Sequence, residues 1–298
     1  MTEYIRPEPA DYDSFPESQI SVCGMETIQA DMKKTAVRLK HMVRYCTMDG
    51  MDLHMNIHIP ERQGKLPLAV FIPGSAWRAQ RIDDTTPAMS LFARRGFITA
   101  QIQYRPSDVA PFPAQIRDTR TALRFLAGHA EEYGIDTDRI FIWGDSSGGH
   151  TALMTAYTAG DPCFENEEGS DPVIRAVVDY YGPTDITRMN CEPSTMDHIS
   201  PDSPEGMLIG GKTVTGSEEA LRTVVMEKVS RSSPPTLIIH GTKDRLVPFG
   251  QSVMLFERLK EKEVPVRFIC LKGADHGSDC FFDNPVYDIV EEFVKRYL

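Results

Sequence analysis

The hydrophobic positions of the chain fall into two recurring patterns, short continuous apolar runs and longer amphipathic segments. The runs that predict buried strands are residues 68–72, 97–102, 140–143, 173–181, 235–240 and 266–271. The segments that predict helices are residues 88–95, 113–133, 151–157, 250–263 and 284–298. Strands that alternate with helices in this way predict an α/β fold, in which a mainly parallel central sheet carries helices on both faces.

A β-hairpin is predicted ahead of this pattern. Residues 44–60 contain two strand-like segments separated by Asp49 and Gly50, a pair that favours a tight two-residue turn. The second segment alternates between apolar and polar residues, so one of its faces is predicted to be wet. His54 and His58 share a face of that strand. Without a third ligand, we interpret them as surface residues rather than as a metal site.

The first 40 residues lack the strand and helix pattern and are interpreted as an N-terminal arm, residues 1–40. An amphipathic helix is predicted within residues 20–40, because four apolar side chains recur there at helical spacing. These side chains are Met25, Ile28, Met32 and Val37. We favour a packing role for the arm, and the alternatives are a lid and a contact in a homodimer.

Residues 184–233 also interrupt the pattern, and they are rich in Pro, Ser, Met and Gly. They lie between two predicted core strands. Long irregular segments inside compact domains usually have a functional role or are disordered. We therefore predict that this segment is a cap insertion over the site, within a single domain that spans residues 1–298.

Charge and composition restrict the partners of the protein. The chain has 298 residues, of which 41% are hydrophobic, and a formal net charge of −11 at pH 7. Such a charge disfavours nucleic acid and anionic membrane surfaces as partners. No apolar run approaches the roughly 20 residues that a membrane helix needs. The expected partner is a small molecule.

The cysteines and the N-terminal residues indicate a cytoplasmic protein. The six cysteines form no C-x-x-C pair and no metal-like grouping with histidine. We expect most of them to be buried, reduced thiols. The first residues also lack the basic and apolar regions of a signal peptide. We predict a cytoplasmic location and no metal site.

The candidate nucleophile lies in a turn that matches G-x-S-x-G. Gly144 and Gly148 flank Ser146, between the predicted strand at residues 140–143 and the helix at residues 151–157. In such a turn the serine occupies a strained strand-to-helix corner, and the glycines allow the backbone to bend tightly beside it. The helix N-terminus that follows presents free N–H groups, which suit an oxyanion. A glycine-rich turn with a solvated serine is the alternative interpretation.

A serine nucleophile needs a base, and the base needs a carboxylate that orients it. Asp244 follows the predicted strand at residues 235–240, and His276 follows the strand at 266–271. The carboxyl ends of parallel strands meet at one edge of a sheet, which is where the sites of open α/β sheets lie. The order Ser146, Asp244, His276 is the order of an α/β-hydrolase triad.

Other histidines and acids fit these roles less well. His240 ends its strand ahead of the acid loop, and His150 lies on the helix after the nucleophile, where it is expected to face the core. Asp275 and Asp279 are weaker candidates for the acid, because close neighbours of His276 rarely reach the outer nitrogen of its ring. For the oxyanion, we predict N–H donors from Ser147, Gly74 and Ser75.

A family resemblance rests on an ordered set of motifs. They are Tyr104-Arg105-Pro106, Phe112-Pro113-Ala114-Gln115, Asp118, Tyr133-Gly134-Ile135-Asp136, Asp138-Arg139-Ile140, the turn at Ser146 and Asp179-Tyr180-Tyr181-Gly182-Pro183-Thr184-Asp185. Together they resemble α/β-hydrolase esterases, the group that includes hormone-sensitive-lipase-like carboxylesterases and the acetylxylan and feruloyl esterases of the BD-FAE type. The resemblance covers residues 70–276. It implies the α/β-hydrolase fold.

The chain departs from that group at two places. The group usually has His-Gly-Gly-Gly-Trp in its oxyanion loop, and this chain has Pro73, Gly74, Ser75, Ala76 and Trp77. The backbone donors survive such a change, but the loop shape and the pocket width are expected to differ. After the nucleophile the group commonly has Ala, where this chain has a serine. The predicted pocket residues are Trp77, Asp145 and Tyr181.

These observations predict a serine carboxylic-ester hydrolase that works through an acyl-enzyme and needs no metal or cofactor. The resemblance implies short acyl groups or carbohydrate-linked acetyl and feruloyl esters as substrates. One alternative is a non-catalytic ligand-binding protein on the same scaffold, which the altered oxyanion loop favours. A prolyl-oligopeptidase-like peptidase is a further alternative, but the chain shows no propeller repeat ahead of the domain.

Overall fold

The structure is a computed structural model that describes residues 5–30, 35–165 and 170–298. The chain divides into two compact units, residues 1–34 and residues 35–298. In the first unit, residues 5–30 are exposed and contain turns but no helix. The helix predicted within residues 20–40 is therefore wrong, because Val37 begins a strand that pairs with the next one. Met32 of that prediction lies outside the described residues.

The second unit is built on one sheet of eight strands. They are β1 (Val37–Met48), β2 (Met51–Pro60), β3 (Leu66–Ile72), β4 (Ile98–Ile102), β5 (Ile135–Asp145), β6 (Ile174–Tyr180), β7 (Thr236–Gly241) and β8 (Val266–Leu271). Their order is β1-β2-β4-β3-β5-β6-β7-β8. The pairs β1–β2 and β2–β4 are antiparallel, and all other neighbours are parallel. The predicted mainly parallel sheet is confirmed.

Helices cover both faces of this sheet. The α-helices described in the second unit are α1 (Thr86–Ala93), α2 (Ala114–Gly128), α3 (Ala130–Tyr133), α4 (Ser147–Tyr157), α5 (Pro204–Leu208), α6 (Glu218–Arg222), α7 (Gly250–Glu261) and α8 (Asn284–Lys295). One apolar cluster joins the sheet to α2, α4 and α7, and a second joins it to α1 and α8. The long helix predicted over residues 113–133 is divided at His129, whose φ of −107° and ψ of 21° are not helical.

The predicted hairpin is confirmed, but the side chains of its second strand are more buried than predicted. Asp49 and Gly50 have φ values of 50° and 75°, as a two-residue turn with both central residues at positive φ requires. His58 is buried rather than exposed, and its Nε2 lies 2.7 Å from Oε1 of Gln101. Residues 55–60 of β2 are all buried, so neither face of the strand is exposed to solvent at this point.

Residues 184–233, called the cap segment below, contain α5, α6 and two short 3₁₀ helices. They have no strand, but they bury a small apolar cluster of their own. That cluster consists of Ile186, Leu208, Ile209, Val214 and Ala220, and it packs against Trp77. The cap segment is therefore tied to the loop that follows β3.

The prediction that most of the cysteines are buried is wrong. Five of the six cysteines are exposed and Cys46 is half-buried. Cys23 lies in a turn and Cys270 on the edge strand β8, and the other three exposed cysteines, Cys163, Cys191 and Cys280, lie in short 3₁₀ helices. Within the described ranges, no helix is long and apolar enough to cross a membrane.

Candidate active site

Ser146 occupies a tight corner between β5 and α4. Its φ of 54° and ψ of −128° lie in a region that non-glycine residues rarely adopt, and such strain typically costs about 1–3 kcal/mol. The corner is compact because both flanking glycines are in backbone contact. A Cβ at Gly144 would lie 2.2 Å from the carbonyl oxygen of Gly148, and a Cβ at Gly148 would lie 1.9 Å from that of Ile72. The strand-turn-helix context predicted for the nucleophile is present.

The structure brings Ser146, His276 and Asp244 together at the carboxyl edge of the sheet. Asp244 lies on the loop after β7, and His276 lies on the loop after β8. His276 Nε2 lies 2.9 Å from Ser146 Oγ, and His276 Nδ1 lies 2.7 Å from Asp244 Oδ2. These distances are those of a hydrogen-bonded nucleophile, base and orienting acid.

The Asp244 carboxylate is held in its ionised form. Its Oδ1 accepts hydrogen bonds from the N–H groups of Leu246 and Val247, both at 2.9 Å. Burial alone would raise the pKa of Asp244, but hydrogen bonds and charge from His240 and His276 hold the pKa well below its usual range. The side chain of Asp244 is only 1% exposed, so these bonds replace water as its solvation.

His240 is a supporting residue that the sequence prediction did not assign. Its Nε2 faces two acceptors, Asp244 Oδ2 at 3.2 Å and the Val247 carbonyl at 3.1 Å, so this nitrogen carries the proton. Its Nδ1 lies 2.8 Å from the Ser252 hydroxyl. Asp244 thus contacts two imidazoles. The only sequence signal was a histidine at the end of β7, four residues before the acid.

Nδ1 of His276, the ring nitrogen that an orienting acid contacts, faces Asp244 rather than either alternative acid. Asp275 accepts a hydrogen bond from Arg245 Nε at 2.7 Å and from the backbone N–H of His276 at 2.8 Å. It therefore shapes the histidine loop. Asp279 is exposed at the start of a 3₁₀ helix.

Tyr181 was predicted to line the pocket, but the structure places it against His276 and not among the residues that line the cavity. It is completely buried, and its ring centroid lies 4.6 Å from that of His276. Its φ of 44° places the residue in a tight turn directly after β6, beneath the imidazole. This contact restricts the orientation of the His276 ring.

The three predicted oxyanion donors lie beside Ser146, but two of their N–H groups already have partners. Gly74 N–H donates to Asp145 Oδ1 at 2.8 Å, and Ser75 N–H donates to the Ser147 hydroxyl at 2.9 Å. The N–H of Ser147 belongs to the first residue of α4 and has no acceptor within the helix. Gly74 itself is required, because a Cβ there would lie 2.8 Å from Ser146 Cβ.

Asp145 therefore holds the oxyanion loop, and it also lines the cavity as predicted. Burial raises the pKa of Asp145 to about 6, although the Gly74 N–H and the charge of His276 oppose this shift. A carboxylate at this position accepts the Gly74 N–H and so fixes the distance between the loop and the nucleophile.

The oxyanion loop contains a turn with two residues at positive φ. Ala76 and Trp77 have φ values of 55° and 54°, and Arg78 N–H donates to the Ser75 carbonyl at 3.0 Å. Trp77 Nε1 donates to His150 Nδ1 at 3.3 Å, and the other ring nitrogen of this histidine lies 3.0 Å from the Thr223 carbonyl.

His150 is buried in the core, as the sequence predicts. Burial lowers the pKa of His150 to about 4, so the ring is neutral near pH 7. Since the Thr223 carbonyl can only accept, Nε2 carries the proton and Nδ1 is free to accept the Trp77 indole N–H. The predicted pocket residue Trp77 is 2% exposed and lines the cavity.

A cavity of about 350 Å³ opens onto Ser146 and His276. Its walls come from the oxyanion loop, the nucleophile turn, the loop after β7 and the cap segment. The cap segment contributes Met196, His198, Pro204 and Glu205. Among the described residues, no group of three or more His, Cys, Asp and Glu side chains could hold a metal ion.

Comparison with known families gives one match that covers most of the chain. The BD-FAE family model matches residues 55–259. Esterase LipC of Mycobacterium tuberculosis is 31% identical over 218 residues, which are 72% of this chain and 53% of LipC. The probable carboxylic ester hydrolase LipM of the same organism is 32% identical, over 72% of this chain and 50% of LipM. The chain spans about half the length of these curated relatives.

Solved structures with the same fold are also esterases. A truncated form of a carbohydrate esterase from gut microbiota has a TM-score of 0.79 and 27% identity, over 90% of this chain and 98% of that one. The propionate-bound esterase Est2 of Thermogutta terrifontis has a TM-score of 0.70 and 22% identity, over 90% of this chain and 96% of that one. These likenesses confirm the α/β-hydrolase fold.

Proposed function

The chain belongs to the BD-FAE family, and from this premise we propose that it is a serine carboxylic-ester hydrolase with a Ser-His-Asp triad. The observation that carries the proposal is the hydrogen-bonded chain from Ser146 through His276 to Asp244, at the wall of a cavity of about 350 Å³. The names of the relatives LipC and LipM, an esterase and a probable carboxylic ester hydrolase, agree with it.

The proposed reaction has two halves. In the first, Ser146 Oγ attacks the ester carbonyl while His276 Nε2 takes its proton. The tetrahedral intermediate then breaks its bond to the alcohol oxygen, and His276 returns the proton to that oxygen as the alcohol leaves. In the second half, His276 takes a proton from water, which attacks the acyl-enzyme. The acid leaves as Ser146 regains its proton. Asp244 keeps His276 in the required tautomer throughout.

The oxyanion that forms in both halves needs N–H donors. Ser147 N–H, at the start of α4, is the proposed first donor. Ser75 N–H is the proposed second donor, and it becomes available when the Ser147 hydroxyl releases it. Gly74 keeps its N–H on Asp145 and contributes by its close approach to Ser146.

The proposed substrates are esters of short acyl groups, including acetyl or feruloyl groups linked to carbohydrate. The volume of the cavity disfavours long acyl chains. The structural similarity to a carbohydrate esterase, at 27% identity, supports a carbohydrate-linked ester. Because two oxyanion donors are already paired, a non-catalytic ligand-binding protein is the second candidate.

Hydrolysis of nitrophenyl esters tests the proposal directly. Wild type, Ser146→Ala and the exposed control Ser232→Ala are assayed with acetate, butyrate and octanoate esters. We expect the control to match wild type and Ser146→Ala to lose on the order of 10⁶-fold in kcat. Acetate should be turned over faster than octanoate. Activity that persists in Ser146→Ala would refute the assigned nucleophile, and a wild type inactive on every ester would favour the binding protein.

The location and assembly of the protein are also proposals. Free thiols at the five exposed cysteines, Cys23, Cys163, Cys191, Cys270 and Cys280, fit a reducing compartment such as the cytoplasm. The net charge of −11 fits a small ester as the partner rather than nucleic acid or a membrane surface. A homodimer is the proposed assembly, and light scattering of the purified chain would show a monomer mass if this is incorrect.

A further inference from the structure

The carboxylate of Asp244 is held by two consecutive peptide groups of its own loop. Its Oδ1 accepts the N–H of Leu246, in the peptide group between residues 245 and 246, and the N–H of Val247, in the group between residues 246 and 247, both at 2.9 Å. The side chain of Asp244 is 1% exposed, so these donors take the place of water around this oxygen. Their orientation therefore fixes the direction of the carboxylate.

The cap segment holds the carbonyl ends of the same two peptide groups. The Arg245 carbonyl accepts hydrogen bonds from the backbone N–H of Thr195 at 2.8 Å and from its hydroxyl at 2.9 Å. The Leu246 carbonyl accepts a hydrogen bond from the Ser194 hydroxyl at 2.8 Å and lies 3.1 Å from His198 Nε2. Each peptide group thus bonds to the cap segment at its C=O and to the catalytic carboxylate at its N–H.

A peptide group transmits such a restraint from one end to the other. It is planar, and in the trans form its C=O and N–H point in opposite directions. Neither of these two peptide bonds is cis. Fixing the carbonyl therefore fixes the direction of the N–H. A hydrogen bond to the carbonyl also polarises the N–H and strengthens the bond that it donates. The cap segment acts in this way on both donors to Asp244 Oδ1.

His198 is itself fixed within the cap segment. It is 2% exposed, and its Nδ1 lies 2.9 Å from Oε1 of Glu205, a residue of α5. Burial lowers the pKa of His198, but the hydrogen bond and charge of Glu205, with the Leu246 carbonyl and the charge of Asp197, outweigh it and raise the pKa. The raised pKa favours the protonated ring, which can donate from Nδ1 to the carboxylate and from Nε2 to the carbonyl. The loop that carries the catalytic acid is thus linked through His198 to α5.

We propose that Ser194, Thr195 and His198 are positioning residues, which orient from the cap segment the two peptide groups that hold the Asp244 carboxylate. Oδ2 of this carboxylate is then directed at His276 Nδ1, 2.7 Å away. This inference rests on the proposed esterase function. It makes the cap segment a support of the proposed triad as well as a wall of the cavity.

The test removes the two hydroxyl donors, because Ser194 and Thr195 do not line the cavity at the nucleophile, whereas His198 does. Ser194→Ala, Thr195→Val and the double variant are assayed with nitrophenyl acetate for kcat and KM. We expect each single change to lower kcat about 2- to 10-fold, the value of one hydrogen bond, and the double variant to lose more than either. KM should stay near that of wild type, because the cavity wall is unchanged. The matched controls Ser232→Ala and Thr213→Val, at exposed residues of the same segment, should keep the wild-type kcat.

A second background separates positioning from packing. Asp244→Ala has no carboxylate to orient, and its residual kcat should be on the order of 10⁴-fold below wild type. In this background, the double change at Ser194 and Thr195 should cause no further loss of kcat. The rate of Ser146→Ala is subtracted as the blank. Hydroxyls that only stabilised the cap segment would instead lower kcat by the same factor in both backgrounds.

Two results would overturn the inference and leave the esterase function standing. One is a double variant that melts as a folded protein and keeps the wild-type kcat, and the other is an equal loss of kcat with and without the Asp244 carboxylate. If the double variant does not fold, each single variant is compared in the same two backgrounds and decides in the same way. A wild type that hydrolyses no nitrophenyl ester would overturn the proposed function itself, and this inference with it.

Discussion

The hydroxyl of Ser147 is expected to slow the enzyme, and its removal should accelerate ester hydrolysis. Ser147 is 1% exposed, and its Oγ accepts the Ser75 N–H at 2.9 Å. The same N–H is a proposed donor to the oxyanion. The hydroxyl and the transition state therefore compete for one donor. Ser147→Ala removes the competitor and keeps both backbone N–H groups.

The size of the effect follows from the bond that must be broken. Releasing Ser75 N–H from a neutral hydroxyl costs about 0.5–1.5 kcal/mol, the net value of such a hydrogen bond. Since about 1.4 kcal/mol is a factor of ten in rate, kcat/KM should rise roughly 2- to 10-fold in Ser147→Ala. The Tyr104 hydroxyl lies 3.5 Å from Ser147 Oγ and 3.1 Å from Ser75 Oγ, so it keeps a polar partner in the variant.

The assay is the initial rate of nitrophenyl acetate hydrolysis, with the melting temperature measured on the same preparations. Thr155→Val is a matched control, because it removes another buried hydroxyl of α4 that donates to the Thr151 carbonyl. The control should not raise kcat/KM. A folded Ser147→Ala with a rate equal to or below that of wild type would show that Ser75 N–H does not serve the oxyanion, and the reasoning would fail.

Two further predictions concern stability and are read from melting temperatures. Gly148→Ala places a Cβ 1.9 Å from the Ile72 carbonyl oxygen and should lower the free energy of unfolding by about 3 kcal/mol or more. In the control Gly128→Ala, the new Cβ meets no atom within 4 Å, so this change should be neutral or stabilising. Equal melting temperatures for the two variants would contradict this account of the turn. Burial raises the pKa of Asp179 from 3.8 to about 7. The negative charge of Asp145 also raises this pKa, and the hydrogen bond from the Gly182 N–H lowers it. The folded chain therefore holds a proton that the unfolded chain has lost between these pH values, and stability falls as pH rises through this window. Asp179→Asn should melt higher than wild type at pH 8 and about equally at pH 5, and parallel pH profiles would show that this group does not titrate as described.

The positions of the proposed triad residues could be predicted from the sequence because they depend on topology. In a parallel sheet, loops that follow neighbouring strands lie at one edge whatever their side chains do. Ser146, Asp244 and His276 each directly follow an apolar run that is readable as a strand. The structure places His276 within hydrogen-bond distance of both Ser146 and Asp244.

The supporting contacts could not be predicted in this way, because they depend on side-chain directions across the fold. Nothing in the sequence pattern pairs Asp145 with the Gly74 N–H, 71 positions away, or Thr223 with His150, 73 positions away. The contact between His198 Nδ1 and Glu205 Oε1, at 2.9 Å, lies in the cap segment, which lacks the periodicity that assigns residues to a buried or an exposed face. The exposed cysteines show the same limit, since residue type alone predicts burial only on average.

The cap segment and the oxyanion loop depend on one another physically. Ala76 replaces a glycine of the usual loop and Trp77 matches its tryptophan. Both adopt positive φ, a conformation that costs L-residues about 1 kcal/mol or more each and persists only where surrounding contacts enforce it. Two contacts do so at Trp77: its indole N–H is held by His150, and its ring packs against the apolar cluster of the cap segment. His150 is in turn anchored by the carbonyl of Thr223, which also belongs to the cap segment. The cap segment thus supplies contacts that keep the oxyanion loop in its strained form, so we expect a change in cap packing to alter the position of the proposed oxyanion donors.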